Sequence, residues 1–318
     1  MTYLYITIFL FLLIIIYFRI ADKYNIVDKP NARSSHSVIT IRGGGIIFPA
    51  AMITAFALGH ASLLFTIAVV IVGLISFIDD IRPLHQLPRF LSHLIAILLV
   101  VYDLGLMEHY LIWLPVILIF SIGWVNAFNF MDGINGITVL YSIVCILTFA
   151  YLYRDSNNFS LLITMAISCG VFAFFNVRKR AKTFAGDVGS ISMAVFLAYF
   201  LIKIIFETGQ PGYLLFVSVY GIDAIVTILY RLKNKENIFQ PHRSHLYQYM
   251  VNELKLPHVG VAVIYAVTQL AINVITICLM TYGYTSIWVF VAVGAVVAAI
   301  YWLFRVKILS SIEIQDAR

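Results

Sequence analysis

The chain has 318 residues, 62% of them apolar and only 11% charged, where a soluble domain carries about 25% charged residues. That balance excludes an ordinary soluble enzyme. The formal charge of +6 would suit nucleic acid in a soluble protein, but here the basic residues are scattered over breaks between apolar runs, and nucleic acid is not an expected partner.

The apolar runs recur from end to end at about the 20 residues that a helix needs to cross a bilayer. The first, 3–18, has no basic residues before it and no small-residue cleavage site after it, so it reads as a membrane helix rather than a removed leader. Further runs cover 43–59, 61–78, 89–104, 110–126, 134–153, 160–176, 188–206, 212–230, 258–282 and 285–304. The second is the weakest, because Gly43, Gly44, Gly45 and Pro49 crowd its start. The expectation is an all-α, polytopic integral membrane protein of about 11 transmembrane helices, forming one domain over 1–318. Cys145, Cys169 and Cys278 all lie inside apolar runs and read as packing residues.

An odd number of helices puts the two termini on opposite sides of the membrane. The breaks that follow the odd-numbered helices hold 19 of the 21 Lys and Arg residues, so by the positive-inside rule that face is cytoplasmic and the N-terminus is outside. The long connections, 19–42, 79–89, 126–133, 177–187 and 231–257, are on that face, and function is expected there. Among the ionisable residues inside the runs, Lys203 and Asp223 stand out. Asp223, two turns before Arg231, is a functional suspect or the orienting partner of a neighbouring base.

Three acidic clusters fall at predicted cytoplasmic helix ends: Asp79–Asp80, the stretch Asn126 to Gly133 (NAFNFMDG), and Phe184 to Ser190 (FAGDVGS). A single Asp at a helix end is ordinarily a cap or a solvated loop residue. Three such clusters on one face, mixed with asparagines and glycines, instead suit a divalent cation bound to substrate phosphates. Gly133, Gly136, Gly186 and Gly189 would let the backbone approach a phosphate closely. Two cationic segments oppose the acids. Pro30 to Gly45 carries Arg33, Ser34, Ser35, His36 and Arg42, a composition suited to phosphates or to anionic lipid heads. Gln240 to Gln248 crowds His242, Arg243 and His245 together, as a phosphate or metal contact or as surface residues.

The ordered set Asp79-Asp80, Asn126-x-x-Asn129-x-x-Asp132-Gly133, Phe184-x-Gly186-Asp187-x-Gly189-Ser190 and a histidine-bearing loop after the ninth helix resembles the polyprenyl-phosphate N-acetylhexosamine-1-phosphate transferases, of glycosyltransferase family 4 type. Asp28-x-Pro30-Asn31-x-Arg33-Ser34-Ser35-His36, Thr40-x-Arg42-Gly43-Gly44-Gly45 and Pro241-His242-Arg243-Ser244-His245 look like the bacterial branch that initiates O-antigen or capsule repeat units. The resemblance implies transfer of a sugar-1-phosphate, an N-acetylhexosamine or its 6-deoxy form, from a UDP-sugar to undecaprenyl phosphate, with release of UMP. It implies Mg²⁺, with Mn²⁺ as a substitute, and a bacterial inner-membrane location among membrane lipids. A homodimer is compatible with it.

By the same resemblance, Asp187 would ligate the metal with Asn129, and Phe184 would stack on uracil. Asn129 and Asp132 would contact the diphosphate or uridine side. Asp79 would deprotonate the lipid phosphate with Asp80 assisting, and Asp132, His242 and His245 would join them as catalytic groups. Arg33, Ser34, Ser35, His36, Arg42, Arg89, Asn126 and Arg243 would contact substrate. The chain departs from relatives that make the GlcNAc-linked lipid at Leu87, where they commonly carry Lys, and in its sparser histidine cluster. The alternative reading is a polytopic transporter or lipid flippase, but such proteins place their polar sites near the bilayer midplane.

Overall fold

The computed structural model describes residues 1–30, 38–237, 240 and 242–316, with side chains placed as far as 311. The helices are α1 (Thr2–Tyr24), α2 (Ile47–Ala57), α3 (Leu63–Ile81), α4 (Gln86–Asp103), α5 (Leu106–His109), α6 (Leu114–Phe130), α7 (Ile137–Leu152), α8 (Asn158–Asn176), α9 (Gly186–Thr208), α10 (Ser218–Lys233), α11 (Leu246–Asn252), α12 (His258–Thr281) and α13 (Ile287–Asp316). Two short strands, β1 (Val27–Asp28) and β2 (Thr40–Ile41), pair antiparallel with Val27 opposite Ile41. The protein is all-α and polytopic, as the apolar runs require.

Among the described residues nine helical segments are long and apolar enough to cross a membrane. Two shorter apolar helices, Gly44–Ala57 and Ile137–Leu152, fall at the second and sixth sequence runs. For those two the count of eleven rests on position alone. The last helix runs further than its apolar run suggests: α13 continues past 304 and takes in Arg305 and Lys307, which the sequence reading placed in a loop. Asp79, Asp80, Asp187 and Arg231 are likewise helical residues, so Lys203 and Asp223 are not the only ionisable groups in the long helices.

At the centre stands α9, whose apolar window is 89% buried, whereas that of α13 is 6% buried and faces outward. Helix α9 packs against α3, α6, α2 and α7. Small side chains permit this. A Cβ on Gly45 would lie 2.3 Å from the Gly189 Cα, so both positions must be glycine for the turn before α2 to lie on α9.

The ninth run, read as one continuous span, is broken. A 3-10 segment, Pro211–Val217, precedes α10, and the break frees backbone groups inside an apolar environment. Buried Gln269 of α12 satisfies them. Its oxygen accepts the Val219 N–H at 3.0 Å and the Tyr141 hydroxyl at 2.8 Å, and its amide donates to the Leu215 carbonyl at 2.8 Å and Asn273 at 2.7 Å. All four hydrogen-bonding positions of that amide are filled.

Candidate active site

The C-terminal end of α3, the N-terminal end of α9 and the segment that leads from β2 into α2 meet at one end of the bundle. A thin backbone ladder holds them there. Ile41 bridges Thr183 in parallel, the Phe184 N–H donates to the Ile41 carbonyl at 2.8 Å, and the Gly44 and Gly45 N–H groups donate to Phe184 and Ala185 at 2.9 and 3.0 Å. Buried Asn176, at the end of α8, ties this ladder to the loop after α6. Its oxygen accepts the Gly136 N–H and its amide donates to the Thr183 carbonyl, both at 2.8 Å.

On this frame sit five charged side chains. Asp80 is fully buried, and its carboxylate accepts Arg42 Nε at 2.8 Å and the backbone N–H groups of Asp187 and Val188 at 2.9 and 3.1 Å. It therefore caps α9 from α3, where the helix dipole favours an anion. Gly186, at φ +69°, makes that cap possible, since a Cβ there would stand 2.5 Å from Asp80 Oδ2. The assisting role in proton transfer assigned to Asp80 from the resemblance does not suit a carboxylate so occupied; its geometry is that of a structural cap.

Asp187, one residue further into α9, is open to 17%. It lies 3.5 Å from Arg42 Nη2 and 3.4 Å from Arg89 Nη2, with the Asp79 carboxyl within hydrogen-bonding reach. Arg89, at the start of α4, forks, with its Nη1 3.3 Å from Asp79 Oδ2. Asp79 also accepts the Leu84 N–H at 2.6 Å. Burial works against the charge on Arg42, but Asp80, Asp187 and Asp28 outweigh it and hold the guanidinium more firmly protonated than usual. Three carboxylates against two guanidiniums leave one negative charge, before Asp132 is added.

Asp132 lies in the loop after α6, bonded to the Thr138 hydroxyl at 2.5 Å. Burial pushes its carboxyl up to about 6, Asp187 adds to the push, and Thr138 and Arg42 oppose it. Asn129, in the last turn of α6, accepts from Ser190 at 2.7 Å, one turn along α9 from Asp187. Phe184 has its backbone pinned between Ile41 and Gly44 beside these groups.

The histidines form a second cluster next to the first. Tyr247 of α11 donates to the Phe130 carbonyl at 2.9 Å, and the Phe130 ring lies 6.3 Å from His242 and 6.4 Å from His245. Burial, then His245 and Arg231, holds His242 down at about 4, so that ring is neutral near pH 7. His245 is buried, with Nδ1 2.8 Å from Asp223 and Nε2 without a partner. Arg243 lies close enough to Tyr247 to act on it electrostatically. Asp223 thus stands where an orienting partner of His245 would stand, one of the two readings that the sequence offered.

Asn126 is not brought to either cluster. It is exposed one turn before Asn129, and its amide bonds back to the Ile122 carbonyl at 2.8 Å. Arg33, Ser34, Ser35 and His36 lie outside the described residues. The sequence reading passed over Asn176 and Thr138, and it gave no role to Ser190, which it named only as the end of a motif. Only Asn176, a polar residue closing an apolar run on the loop-rich face, carried a signal that could have found it.

Among the described residues no three His, Cys, Asp or Glu side chains close into a cage that would hold a metal unaided. Mg²⁺ is usually held by one or two carboxylates together with waters and substrate phosphates. Partly open Asp187, with Asp79 beside it and Asn129 across Ser190, offers hard oxygen donors of that kind in a cluster with surplus negative charge. The donor set fits.

The glycosyl transferase family 4 profile matches residues 61–205. The chain is 27% identical over 280 residues to a probable undecaprenyl-phosphate N-acetylglucosaminyl 1-phosphate transferase of Bacillus subtilis, covering 78% of this chain and 76% of that protein. It is 26% identical over 275 residues to the undecaprenyl-phosphate alpha-N-acetylglucosaminyl 1-phosphate transferase of Escherichia coli K12, covering 76% and 74%. A shorter stretch of 117 residues is 35% identical to a phospho-N-acetylmuramoyl-pentapeptide-transferase of Lactococcus lactis, covering 36% and 34%.

Proposed function

We propose that the chain is a polyprenyl-phosphate N-acetylhexosamine-1-phosphate transferase of the glycosyl transferase family 4 type, a reading that the profile match and the two long alignments support, and that it transfers an N-acetylhexosamine-1-phosphate, plain or 6-deoxy, from a UDP-sugar to undecaprenyl phosphate. A phosphate oxygen of the lipid attacks the β-phosphorus of the UDP-sugar, and the bond to the UMP oxygen breaks. The products are undecaprenyl-diphospho-sugar and UMP. The reaction takes place at the cytoplasmic face of a bacterial inner membrane and begins a surface polysaccharide repeat unit.

One observation carries this reading. Arg42 and Arg89 each reach Asp187 and one member of the Asp79–Asp80 pair, at one end of a bundle of apolar helices. Two substrates rich in negative charge must meet there, and most of the catalysis in phosphoryl transfer comes from positioning and from neutralising charge. Asp187 and Asn129 would hold Mg²⁺. When bound, the ion neutralises the diphosphate and orients it. Asp79 takes a proton from the lipid phosphate if that phosphate arrives protonated. Arg42 and Arg89, whose contacts to Asp187 are long at 3.5 and 3.4 Å, would bind the phosphate oxygens. Asp132 and His242 line the adjoining wall, on the side where the sugar or the uridine would lie.

Purified protein supplied with undecaprenyl phosphate, Mg²⁺ and a panel of UDP-N-acetylhexosamines, plain and 6-deoxy, is expected to release UMP with at least one of them. No UMP from any sugar, under conditions where the Escherichia coli relative is active, would overturn the proposal. The panel also reads out how the chain handles the sugar with Leu87 where relatives commonly carry Lys.

A further inference from the structure

Arg305 belongs to the helix least engaged with the rest of the molecule, yet its own side chain is fully buried. It sits between aromatic faces, with its guanidinium carbon 4.8 Å from the Tyr230 ring and 5.5 Å from the Tyr249 ring. Nη1 donates to Thr227 at 3.1 Å and to the Tyr301 hydroxyl at 3.3 Å. Nε and Nη2 are buried without a partner. A buried cation costs several kcal/mol unless something repays it, and a guanidinium with unused donors is not held in place for its hydrogen bonds alone. Its charge needs a reason.

The nearest buried carboxylate in that network is Asp223. It accepts Thr227 at 3.3 Å, the Tyr265 hydroxyl at 2.6 Å, and His245 Nδ1 at 2.8 Å. The direction of this chain is fixed by chemistry. A guanidinium can only donate, so Thr227 Oγ1 accepts from Arg305, and its own proton has the Asp223 carboxylate at 3.3 Å as its nearer acceptor, with the Ser244 carbonyl at 3.5 Å. An ionised Asp can only accept, so Nδ1 of His245 carries the proton, and Nε2, which has no partner, is the acceptor edge when the ring is neutral.

Resting on the transferase reading above, we propose that Arg305 is a positioning residue for His245, acting through Thr227 and Asp223: its Nη1 holds the Thr227 hydroxyl, Thr227 and His245 Nδ1 both meet Asp223, and the imidazole is thereby fixed with Nε2 as its unpartnered edge. The other groups around His245 do not supply that link. From α6 it meets the uncharged Phe130, and from α11 Tyr247. From α12 Tyr265 reaches Asp223, as Tyr301 does from α13. In its own loop His242 is neutral near pH 7 and Arg243 lies by Tyr247. Arg231, further along α10, is paired with Glu236 at 3.0 Å.

The test is UMP release measured for the wild-type protein and the variants Arg305→Met, Arg305→Lys and Thr227→Val. Met fills the same apolar space without a donor, and Lys keeps a cationic donor. With Arg305→Met, kcat is expected to fall about tenfold and the KM for the UDP-sugar to change by less than about threefold. Arg305→Lys is expected to return most of the activity. Thr227→Val, which keeps the cation but cuts the link, should lower kcat in the same direction. Wild-type kcat in Arg305→Met, or equal loss in the Met and Lys variants, would overturn the inference and leave Arg305 as a helix anchor. An Arg305→Met protein too unstable to assay leaves the Lys and Val variants to decide, because a plain anchor predicts normal turnover in Thr227→Val. Inactive wild-type protein would instead count against the transferase reading.

Discussion

Asp187 is the residue on which most of the site's electrostatics converge. Its backbone N–H is fixed by Asp80, while its side chain lies at long range, 3.4 to 3.5 Å, from two guanidiniums and remains partly open. Asp187→Asn therefore keeps the helix cap and the shape but loses the charge. Turnover is expected to fall on the order of 100-fold or more, with the melting temperature in detergent within a few degrees of wild type. Near-normal UMP release would take Asp187 out of the proposed metal site. At this scale the sequence was informative about which residues matter and less so about what each does. Asp79 and Asp80 look alike as neighbours in the chain, yet a helix points adjacent side chains about 100° apart. One turns into the α9 cap and the other toward Arg89. Asn126 misled for the opposite reason. It fits a motif by spacing, but it lies on the exposed stripe of α6, where an amide can satisfy itself on its own helix carbonyl.

The elements owe their relative placement to polar side chains that no periodicity reveals. The apolar runs announced the long helices, because a bilayer demands both length and apolarity. They could not announce the break before α10, since Pro211 and Gly212 occur near the start of a run that stays apolar throughout. Nor could they announce Gln269, whose partners lie 50 residues and more away in the chain. Asn176 is a second such residue, and it joins the loop that carries Asp132 to the segment that leads into α9 and Asp187. Asn176→Ala removes two buried hydrogen bonds and leaves the Gly136 N–H and the Thr183 carbonyl unpaired, a cost of about 2–4 kcal/mol. The expected result is a melting temperature lower by several degrees and a loss in kcat larger than any change in KM, because the segments that position the proposed catalytic carboxylates lose their tie. A variant that melts and turns over like wild type would show that the ladder from Ile41 to Ala185 holds the loops unaided.

For the whole molecule the question is which way the bundle faces. The acidic and histidine clusters are joined in space at one end of the helices, through Phe130 and Tyr247. The same end receives the loops in which most Lys and Arg residues were counted. Two of those 19, Arg231 and Arg305, prove to be buried helical residues rather than loop charges, and the bias is large enough to survive their removal. A UDP-sugar is made inside the cell, so the proposed reaction demands that this end be cytoplasmic. The orientation can be read directly by single cysteines placed in two exposed connections of opposite parity, Asn157→Cys between α7 and α8 and Asn234→Cys after α10, with Cys278 replaced by Ser because it is the one exposed native thiol among the described residues. A membrane-impermeant maleimide added to intact cells is expected to label position 157 and spare position 234, and to label both once the membrane is opened. Labelling of position 234 alone in intact cells would place Asp187 and its neighbours outside. The proposed donor could not reach them there, and the transferase reading would fail together with the charge-based orientation that supports it.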